Sequence, residues 1–299
     1  MRERRVALSN AGIAQNPWDE SRCLLDALSL IQAGNMIRND DVVVITPNFV
    51  KNIPPESGVV TGNNTLKTLI SFVKGLNPRR IVLACGSGSK ETKAVLDELE
   101  VTELIRQESI EFVDLNHGPF TEITLNHSSP SRTRINTLID EMTFHISFTQ
   151  LKQHEEAVMS ACIKNVALSW PPAEEHGHPK KNRGIHEDLH GFIRAMAEVI
   201  PIDISILSTM PAMVGTGPIN GVARNAGMVI AGTDPVAVDT IGARLLGFKP
   251  QAVNYLYQCI HAGIGKGKLE EIQISGLSLK DAEKTFSHAV YGQPFAVDE

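Results

Sequence analysis

Cysteine is scarce in this sequence of 299 residues, and its four cysteines lie far apart. Cys23, Cys85, Cys162 and Cys259 form no C-x-x-C pair. Their spacing argues against a disulfide framework and against an iron–sulfur or zinc-ribbon site held by this chain alone. We therefore expect four buried, reduced thiols and no intrinsic iron–sulfur cluster.

Long apolar runs and an excess of positive charge are lacking as well. The N-terminal stretch Met-Arg-Glu-Arg-Arg-Val-Ala-Leu-Ser has no long apolar core of a signal peptide, and no later run approaches the length of a membrane span. The formal net charge is −6, which gives a polyanion little to bind. These absences predict a cytoplasmic protein whose main partner is neither a membrane nor nucleic acid.

Short apolar runs alternate with helical periods along the chain. Strands are expected at Arg5–Leu8, Asp41–Thr46 and Arg80–Cys85, and helices at about Asp19–Gln32 and Asn63–Leu76. Further helices are expected at about 155–168, 186–199, 235–246 and 250–261. Because the second and third strands are continuously apolar, we expect helices on both faces of a mixed, mainly parallel sheet. The predicted fold class is α/β.

The middle of the sequence changes character. Short β-like pieces at about 109–115, 121–125, 133–138 and 143–150 are separated by turn-rich stretches. They predict a small β-rich insertion, an inserted β-lobe at about 109–150. The sequence contains no internal repeat and no low-complexity linker, so residues 1–299 are interpreted as a single α/β domain.

Two loops that follow predicted strands are candidate ligand-binding segments. In Thr46-Pro47-Asn48, with Lys51 nearby, Asn48 and Lys51 stand at the carboxyl end of a strand, where open α/β sheets bind ligands. In Gly86-Ser87-Gly88-Ser89-Lys90, the backbone N–H groups around Gly86 and Gly88 suit a phosphate or carboxylate. The alternative for both loops is an ordinary turn.

A third candidate segment is Leu151-Lys152-Gln153-His154, followed by a predicted helix that carries Lys164 and Asn165. Both polar side chains leave a mostly small or apolar helical surface. Lys152 and Lys164 could polarise an anionic substrate, or act as bases with a lowered pKa, with His154 as a proton shuttle. A snorkelling lysine and a surface histidine are the alternative.

The fourth candidate is a histidine-rich segment. His178 lies in a loop, and His186 and His190 stand one turn apart on the next predicted helix. Histidines at positions i and i+4 share a helix face, so the three are candidate ligands of a divalent metal cofactor. The alternative is a polar lid or an anion-binding loop.

Several segments resemble, in order, the bacterial and archaeal family called domain of unknown function 362. They are Leu151–His154, Lys164-Asn165, the His178–Lys180–His186 segment, Gly215-Thr216-Gly217-Pro218 with Gly221, Gly232–Asp239, Arg244–Gly247 and Gly263–Gly265. Thr46-Pro47-Asn48 resembles the family's lysine-proline-asparagine motif, with threonine in place of lysine. Many members carry ferredoxin-like four-cysteine clusters, which this chain lacks. An electron-transfer role would therefore require a separate ferredoxin-type partner.

Two aspartates open the predicted helix of the family's most specific block. Asp234 precedes a proline and fits a helix cap. Asp239 falls on the apolar stripe, so we expect a buried carboxylate paired with Lys164 or orienting a histidine. The alternative is a purely structural Asp239 bonded to backbone N–H groups of the 215–221 loop. The resemblance implies binding roles for Gly215, Gly217 and Asp234, which the family block places beside Asp239.

Two classes of function follow from these residues. In the first, an enzyme binds an anionic small molecule in a cleft of lysine, histidine, asparagine and aspartate, and performs isomerase-type proton abstraction or metal-assisted hydrolysis. In the second, a non-catalytic redox-accessory or ligand-binding protein works with a separate iron–sulfur protein. A cavity that holds both Lys164 and Asp239 favours the first class, and a flat apolar patch near the glycine loops favours the second.

Overall fold

Continuously apolar strands form the centre of a ten-stranded sheet in the computed structural model, which describes residues 9–297. The strands in this range are β1 (Asn10–Gln15), β2 (Val42–Pro47), β3 (Arg80–Cys85), β4 (Glu111–Asp114), β5 (Phe120–Thr124), β6 (Arg132–Asn136), β7 (Phe144–His154), β8 (Val158–Ser160), β9 (Ile204–Val214), β10 (Val222–Arg224), β11 (Met228–Gly232) and β12 (Gln273–Gly276). The helices are α1 (Glu20–Leu30), α2 (Asn63–Gly75), α3 (Thr92–Glu98), α4 (Val101–Glu108), α5 (Leu138–Glu141), α6 (Cys162–Ser169), α7 (Ala173–His176), α8 (Leu189–Val199), α9 (Pro235–Leu245), α10 (Asn254–His261) and α11 (Leu279–Tyr291).

The sheet is mixed and mainly parallel, as the sequence predicts. Its order is β12-β1-β11-β9-β7-β2-β3-β4, with β10 added to β9 and β8 added to β7. The neighbours β9, β7, β2, β3 and β4 run parallel, whereas β11 runs antiparallel to both β1 and β9. The α/β fold class is confirmed.

Helices cover both faces of this sheet, because adjacent side chains of a strand point to opposite faces. Val42 and Val44 belong to one apolar core, which includes α6, α8, α9, α10 and α11, and Val43 and Ile45 belong to the other, which includes α1, α2 and α4. All residues of β2 are buried. Burial of one such valine or isoleucine contributes about 1.5–3 kcal/mol, so β2 anchors the two layers together.

The direction of the chain through the sheet reverses between β2 and β7. From β2 the chain proceeds through β3 to β4 on one side, and from β7 it proceeds to β9 on the other. The carboxyl ends of β2 and β7 lie at the same edge because the two strands are parallel. Open α/β sheets bind ligands outside the carboxyl ends of strands at such a reversal.

The β-rich insertion is a two-stranded sheet of β5 and β6. It is narrower than the lobe predicted at about 109–150, because β4 and β7, which flank it, belong to the main sheet. Thr143–Gln150 therefore enters a central strand, where Phe144, Ile146 and Phe148 are buried. This piece joins the sheet as β7, which pairs in parallel with β2 on one side and with β9 on the other.

Two helices begin later than the sequence predicts. The helix expected from Glu155 begins at Cys162, because residues 158–160 pair antiparallel with the end of β7. The helix expected from His186 begins at Leu189, because the Asp188 side chain caps it by accepting the Gly191 N–H at 3.0 Å. The strand expected at Arg5–Leu8 lies outside the described residues.

Two expectations from composition agree with the structure. Cys23, Cys85, Cys162 and Cys259 are buried free thiols. None of the helices between residues 9 and 297 combines the length and the apolar character required to cross a membrane.

Candidate functional site

A cavity of about 380 Å³ opens at the carboxyl ends of β2, β3 and β7, where the strand order reverses. Eight candidate residues from the sequence border it: Asn48, Gly86, Gly88, Lys152, His154, Lys164, Asn165 and His186. The walls also include the apolar side chains of Phe49, Val50, Leu168 and Ile219. The structure thus gathers residues from four distant segments around one space.

Lys152 lies at the floor of this cavity with no exposed side-chain surface. Its Nζ donates a hydrogen bond to the Val59 carbonyl at 2.7 Å, and within residues 9–297 no carboxylate lies at ion-pair distance. Burial, and then the positive charge of Lys164, lower the pKa of Lys152 to about 7. Lys152 therefore exists in both protonation states near neutral pH.

Lys164 reaches the same cavity from α6. Burial lowers the pKa of Lys164 to about 8, against the opposing charge of Glu156. Among the described residues, no acceptor forms a hydrogen bond or ion pair with its Nζ. Protonated Lys164 thus presents an ammonium that is available to an anion.

His154 borders the cavity as a neutral imidazole. Its Nδ1 accepts the backbone N–H groups of Glu156 and Ala157, both at 3.1 Å, so in the neutral ring the hydrogen resides on Nε2. Burial, followed by the charges of Lys164 and Lys152, lowers the pKa of His154 to about 2. The proton-shuttle role does not fit this geometry, because Nδ1 is already engaged and Nε2 already carries its hydrogen. His154 is a hydrogen-bond donor instead.

The two asparagines fix the cavity wall. Asn48 donates to the Thr149 hydroxyl at 3.1 Å and accepts the Val50 N–H at 3.2 Å. Asn165 donates to the Thr46 carbonyl at 2.9 Å and to Ser147 Oγ at 3.2 Å. Asn48 therefore joins the loop after β2 to β7, and Asn165 joins α6 to β2 and β7.

Thr46 occupies the position where the family motif has lysine. Its side chain is fully buried, and its hydroxyl lies 2.9 Å from Nε2 of His145. Thr46 therefore contributes no charge here, and the positive charges come from β7, α6 and the segment before α8.

The glycine loop after β3 shapes the wall, and three of its backbone N–H groups already donate to hydroxyl groups of the protein, so the anion cradle that the sequence predicts stays a prediction. The N–H of Gly86 donates to Ser169 Oγ, that of Ser87 donates to Thr92 Oγ1, and that of Ser89 donates to Ser87 Oγ. A Cβ at Gly86 would lie 2.6 Å from the Ser169 carbonyl oxygen. Glycine is required here for the close approach of this loop to the end of α6.

Lys180 is a cavity residue that the sequence reasoning missed. It is buried, and its Nζ donates to the carbonyls of Gly86, Leu168 and Ser169 at 3.1–3.2 Å. Burial lowers the pKa of Lys180 to about 7. The Lys180-Lys181 pair resembles a solvated basic run, and the segment's place in the family pattern was the signal that could have identified it.

Glu156 forms an ion pair with Lys181 and a close contact with His186 at the mouth of the cavity. Glu156 Oε1 is 3.0 Å from Lys181 Nζ, and Glu156 Oε2 is 2.6 Å from His186 Nδ1. Burial alone would raise the pKa of Glu156, but its contacts with Lys181 and His186 outweigh burial and lower it. Lys181 is therefore already neutralised by a carboxylate, and Glu156, which the sequence analysis missed, closes one side of the mouth.

The three candidate metal ligands are not assembled into one site. His178 lies near Glu91 at 3.6 Å, His186 contacts Glu156, and His190 accepts the backbone N–H of Tyr255 at 3.0 Å. Within residues 9–297, no group of three or more histidine, cysteine, aspartate and glutamate side chains is arranged to hold a metal ion. The predicted i, i+4 pair fails because His186 precedes α8.

Several other candidates lie outside the cavity lining: Lys51, Gly215, Gly217, Asp234 and Asp239. Gly217 packs its backbone on Gln153, and this contact places the following residues, Pro218 and Ile219, at the cavity. The N–H of Gly215 donates to the Gln153 side chain. These glycines shape the cavity wall, whereas a binding role was predicted.

Asp234 has the contacts predicted for a helix cap, whereas Asp239 does not have its predicted partner. Asp234 caps α9 by accepting the Val236 N–H at 2.9 Å, and it also accepts the Lys266 N–H at 2.9 Å.

Asp239 is fully buried, and the predicted ion pair with Lys164 is wrong. Its carboxylate accepts the N–H groups of Cys162 and Ile163 at 2.9 and 3.2 Å and the Tyr255 hydroxyl at 3.2 Å. Burial raises the pKa of Asp239 to about 7. The alternative of backbone donors is correct in kind, but these donors belong to α6 and not to the 215–221 loop.

Comparisons with known proteins place this cavity inside a shared region. The model of the family described as domain of unknown function (DUF362) matches residues 43–244, a range that contains every residue of the cavity lining. The "Thylakoid-associated protein sll1697" of Synechocystis sp. is 21% identical over 233 residues, which are 78% of this chain and 70% of that protein.

A solved structure was also found, that of the lactate racemase apoprotein from Thermoanaerobacterium thermosaccharolyticum. The identity is 13% and the TM-score is 0.48, over 81% of this chain and 58% of that one. This chain therefore spans little more than half of that protein's length.

Proposed function

The chain belongs to the family called domain of unknown function 362, and from the chemistry of its cavity we propose that it binds a small organic anion and acts on it by isomerase-type proton transfer. The observation that carries this proposal is the ammonium of Lys164, which borders the cavity and forms no hydrogen bond or ion pair among the described residues. A half-buried ammonium that forms neither a hydrogen bond nor an ion pair is costly to the fold. An anionic ligand would relieve that cost.

The charges around the cavity favour a ligand with one carboxylate. Lys181 is paired with Glu156, and the three Nζ hydrogens of Lys180 are engaged by carbonyl groups. Lys164 therefore remains as the ammonium that is open to a ligand among the described residues. The apolar walls, with Phe49 and Leu168, suit an apolar substituent. A volume of about 380 Å³ falls within the usual range for small-molecule sites, about 300–1,000 Å³.

Each of three side chains has a distinct role in this proposal. Lys164 binds the carboxylate. Lys152, with its pKa of about 7, removes a proton from the carbon next to the carboxylate and returns it, because a base works best when its pKa is near the working pH. The Nε2–H of His154 stabilises the negative charge that develops on oxygen while the carbon is deprotonated.

Two features separate this proposal from the other functions considered. Metal-assisted hydrolysis has less support, because the described residues offer no cluster of metal-ligating side chains. A cavity lined by lysines is the feature expected of a small-molecule enzyme, although Asp239 is not part of it. A non-catalytic binding protein is the alternative that the experiment below distinguishes.

The test combines binding and isotope exchange. Titration calorimetry is performed with a panel of monocarboxylates that includes phenylacetate and mandelate, using the parent protein, Lys164→Met and the control Lys51→Met. Lys51 follows β2, at the edge of the sheet where the cavity opens, but it lies outside the cavity lining. We expect binding by the parent and the control, and at least tenfold weaker binding by Lys164→Met.

Proton transfer is measured by incubation of the bound carboxylates in D₂O. We expect deuterium at the carbon next to the carboxylate with the parent protein, and loss of this exchange in Lys152→Met. Binding without exchange would show a ligand-binding protein without chemistry. Equal binding by the parent and Lys164→Met would contradict the proposal as a whole.

A further inference from the structure

Helix α6 carries Lys164 and Asn165 but has no charged cap of its own. Its N-cap residue, Ala161, makes no side-chain hydrogen bond, its first turn contains no acidic residue, and its last turn contains no basic residue. A helix end leaves backbone N–H or C=O groups without partners inside the helix. The ends of α6 must therefore be satisfied by groups from elsewhere in the fold.

A carboxylate from α9 accepts hydrogen bonds from the backbone N–H groups at the N-terminus of α6. Asp239 Oδ1 accepts the Cys162 N–H at 2.9 Å, and its Oδ2 accepts the Ile163 N–H at 3.2 Å. The Tyr255 hydroxyl holds the same Oδ2 at 3.2 Å. A negative charge at a helix N-terminus also matches the helix dipole. Asp239 thus acts as a cap for a helix that begins 77 positions earlier in the chain.

An ammonium donates hydrogen bonds to the backbone carbonyls at the C-terminus of α6. Lys180 Nζ donates to the Leu168 and Ser169 carbonyls at 3.1 Å each, and to the Gly86 carbonyl at 3.2 Å. A positive charge at a helix C-terminus is likewise favourable. The bond to Gly86 also joins α6 to the loop after β3, which forms the facing wall of the cavity.

We propose that Asp239 and Lys180 are positioning residues that clamp α6 at its two ends and hold Lys164 and Asn165 at the cavity. Asp239 does not line the cavity. The Nζ of Lys180 donates its hydrogen bonds to three backbone carbonyls. Both therefore act through the helix. This inference rests on the proposed function only in treating Lys164 as the residue that binds the anion.

The primary test measures Lys164 itself and requires no ligand. The rate at which acetic anhydride acetylates Lys164 is followed by mass spectrometry as a function of pH in the parent, Asp239→Asn and Lys180→Met. A released α6 lets the half-buried Lys164 side chain become more exposed, so we expect its titration midpoint to rise toward the ordinary value for lysine, by about one pH unit or more.

The control is Asp234→Asn, which changes an equally buried carboxylate that caps α9. It is expected to leave the titration of Lys164 unchanged. Lys180→Arg, which keeps charge and donors, is expected to behave more like the parent than Lys180→Met does. If Asp239→Asn does not fold, Tyr255→Phe removes one of the donors to Asp239 and is expected to give a smaller shift in the same direction.

A double-variant cycle links the clamp to binding. Asp239→Asn is expected to weaken phenylacetate binding about tenfold in the parent background and to have no effect in a Lys164→Met background, because interacting residues are not additive. An unchanged Lys164 titration in the folded clamp variants would overturn this inference. A shifted titration in a protein that binds none of the carboxylates would support the clamp and contradict the proposed function.

Discussion

His154 Nδ1 accepts the backbone N–H of Ala157 at 3.1 Å, and this contact determines which ring nitrogen carries the hydrogen. Burial, followed by the charges of Lys164 and Lys152, keeps the folded imidazole neutral, with a pKa of about 2. We predict that ¹⁵N NMR will show the Nε2–H tautomer of His154 at every pH from 5 to 9. A His154 signal that titrates near its usual pKa of about 6.5 would contradict the assigned donor role.

The same neutral ring makes stability depend on pH in a defined direction. The pKa of His154 is lowered in the folded protein, so below about pH 6.5 the unfolded chain binds a proton that the folded chain does not. The contribution of His154 to the free energy of unfolding is fully present above about pH 6.5. It is lost as the pH falls, because protonation then favours the unfolded chain. Chemical denaturation at pH 5 and pH 7 should show a smaller difference in His154→Gln than in the parent.

Replacement of Lys164 should stabilise the protein while it weakens binding. Burial lowers the pKa of Lys164 to about 8, so the folded state is disfavoured whenever the ammonium must be charged. We predict that Lys164→Met raises the free energy of unfolding at pH 7 by roughly 1–2 kcal/mol, a pattern typical of a residue kept for function. Lys51→Met should change it by less than about 0.5 kcal/mol.

The pH profile of the parent provides an independent check of this argument. Because the folded pKa of Lys164 lies below the unfolded value, its unfavourable contribution is present below about pH 8 and is relieved as the pH rises toward 10.5. Lys164→Met should show a smaller rise, which Lys152 and Lys180 still produce because their pKa values are also lowered. If the variant is less stable than the parent at pH 7, Lys164 has a structural role that the described contacts do not account for.

The sequence predicted the edge of the sheet at which the cavity lies, because two short stretches of sequence identify the strands that end there. DVVVIT and RIVLAC are continuously apolar, and parallel strands bring their carboxyl ends to one edge. Asn48 and Gly86 therefore border the same cavity as Lys164. The roles of these residues in binding remain predictions.

The contacts that the sequence did not reveal depend on tertiary structure. The helix predicted from Glu155 gave way to β8, because pairing with β7 outweighed local helix propensity. Asp239 is bound by backbone N–H groups, which every residue except proline has, so no side chain identified its partner. Lys180 stands in a basic run, which usually indicates a solvated surface. It is buried because segments distant in the sequence pack around it.

Anion binding should couple to proton uptake. A bound carboxylate stabilises the ammonium of Lys164 and raises the pKa of that group above its free value of about 8. The protein should therefore take up a proton when it binds phenylacetate near pH 8.5, and affinity should fall as the pH rises above 8. Calorimetry in two buffers with different ionisation enthalpies measures this uptake, which should vanish in Lys164→Met.

Gly217 offers a test of how the cavity wall is built. A Cβ at this position would lie 1.9 Å from the Gln153 carbonyl oxygen, a backbone atom that cannot move without disturbing β7. Gly217→Ala should therefore push Pro218 and Ile219 away from the cavity. We predict a loss of roughly 2 kcal/mol or more in the free energy of unfolding and weaker carboxylate binding in the protein that remains folded.

The matched control is Gly75→Ala, at the last residue of α2, where an added Cβ would have no atom within 4 Å. Alanine is favoured over glycine in a helix, so this variant should be as stable as the parent or slightly more stable, with unchanged binding. Thermal melts and calorimetry of the two variants separate the effects. Equal melting temperatures and equal affinities would mean that the 215–219 loop can move aside, in which case Pro218 and Ile219 do not determine the shape of the cavity.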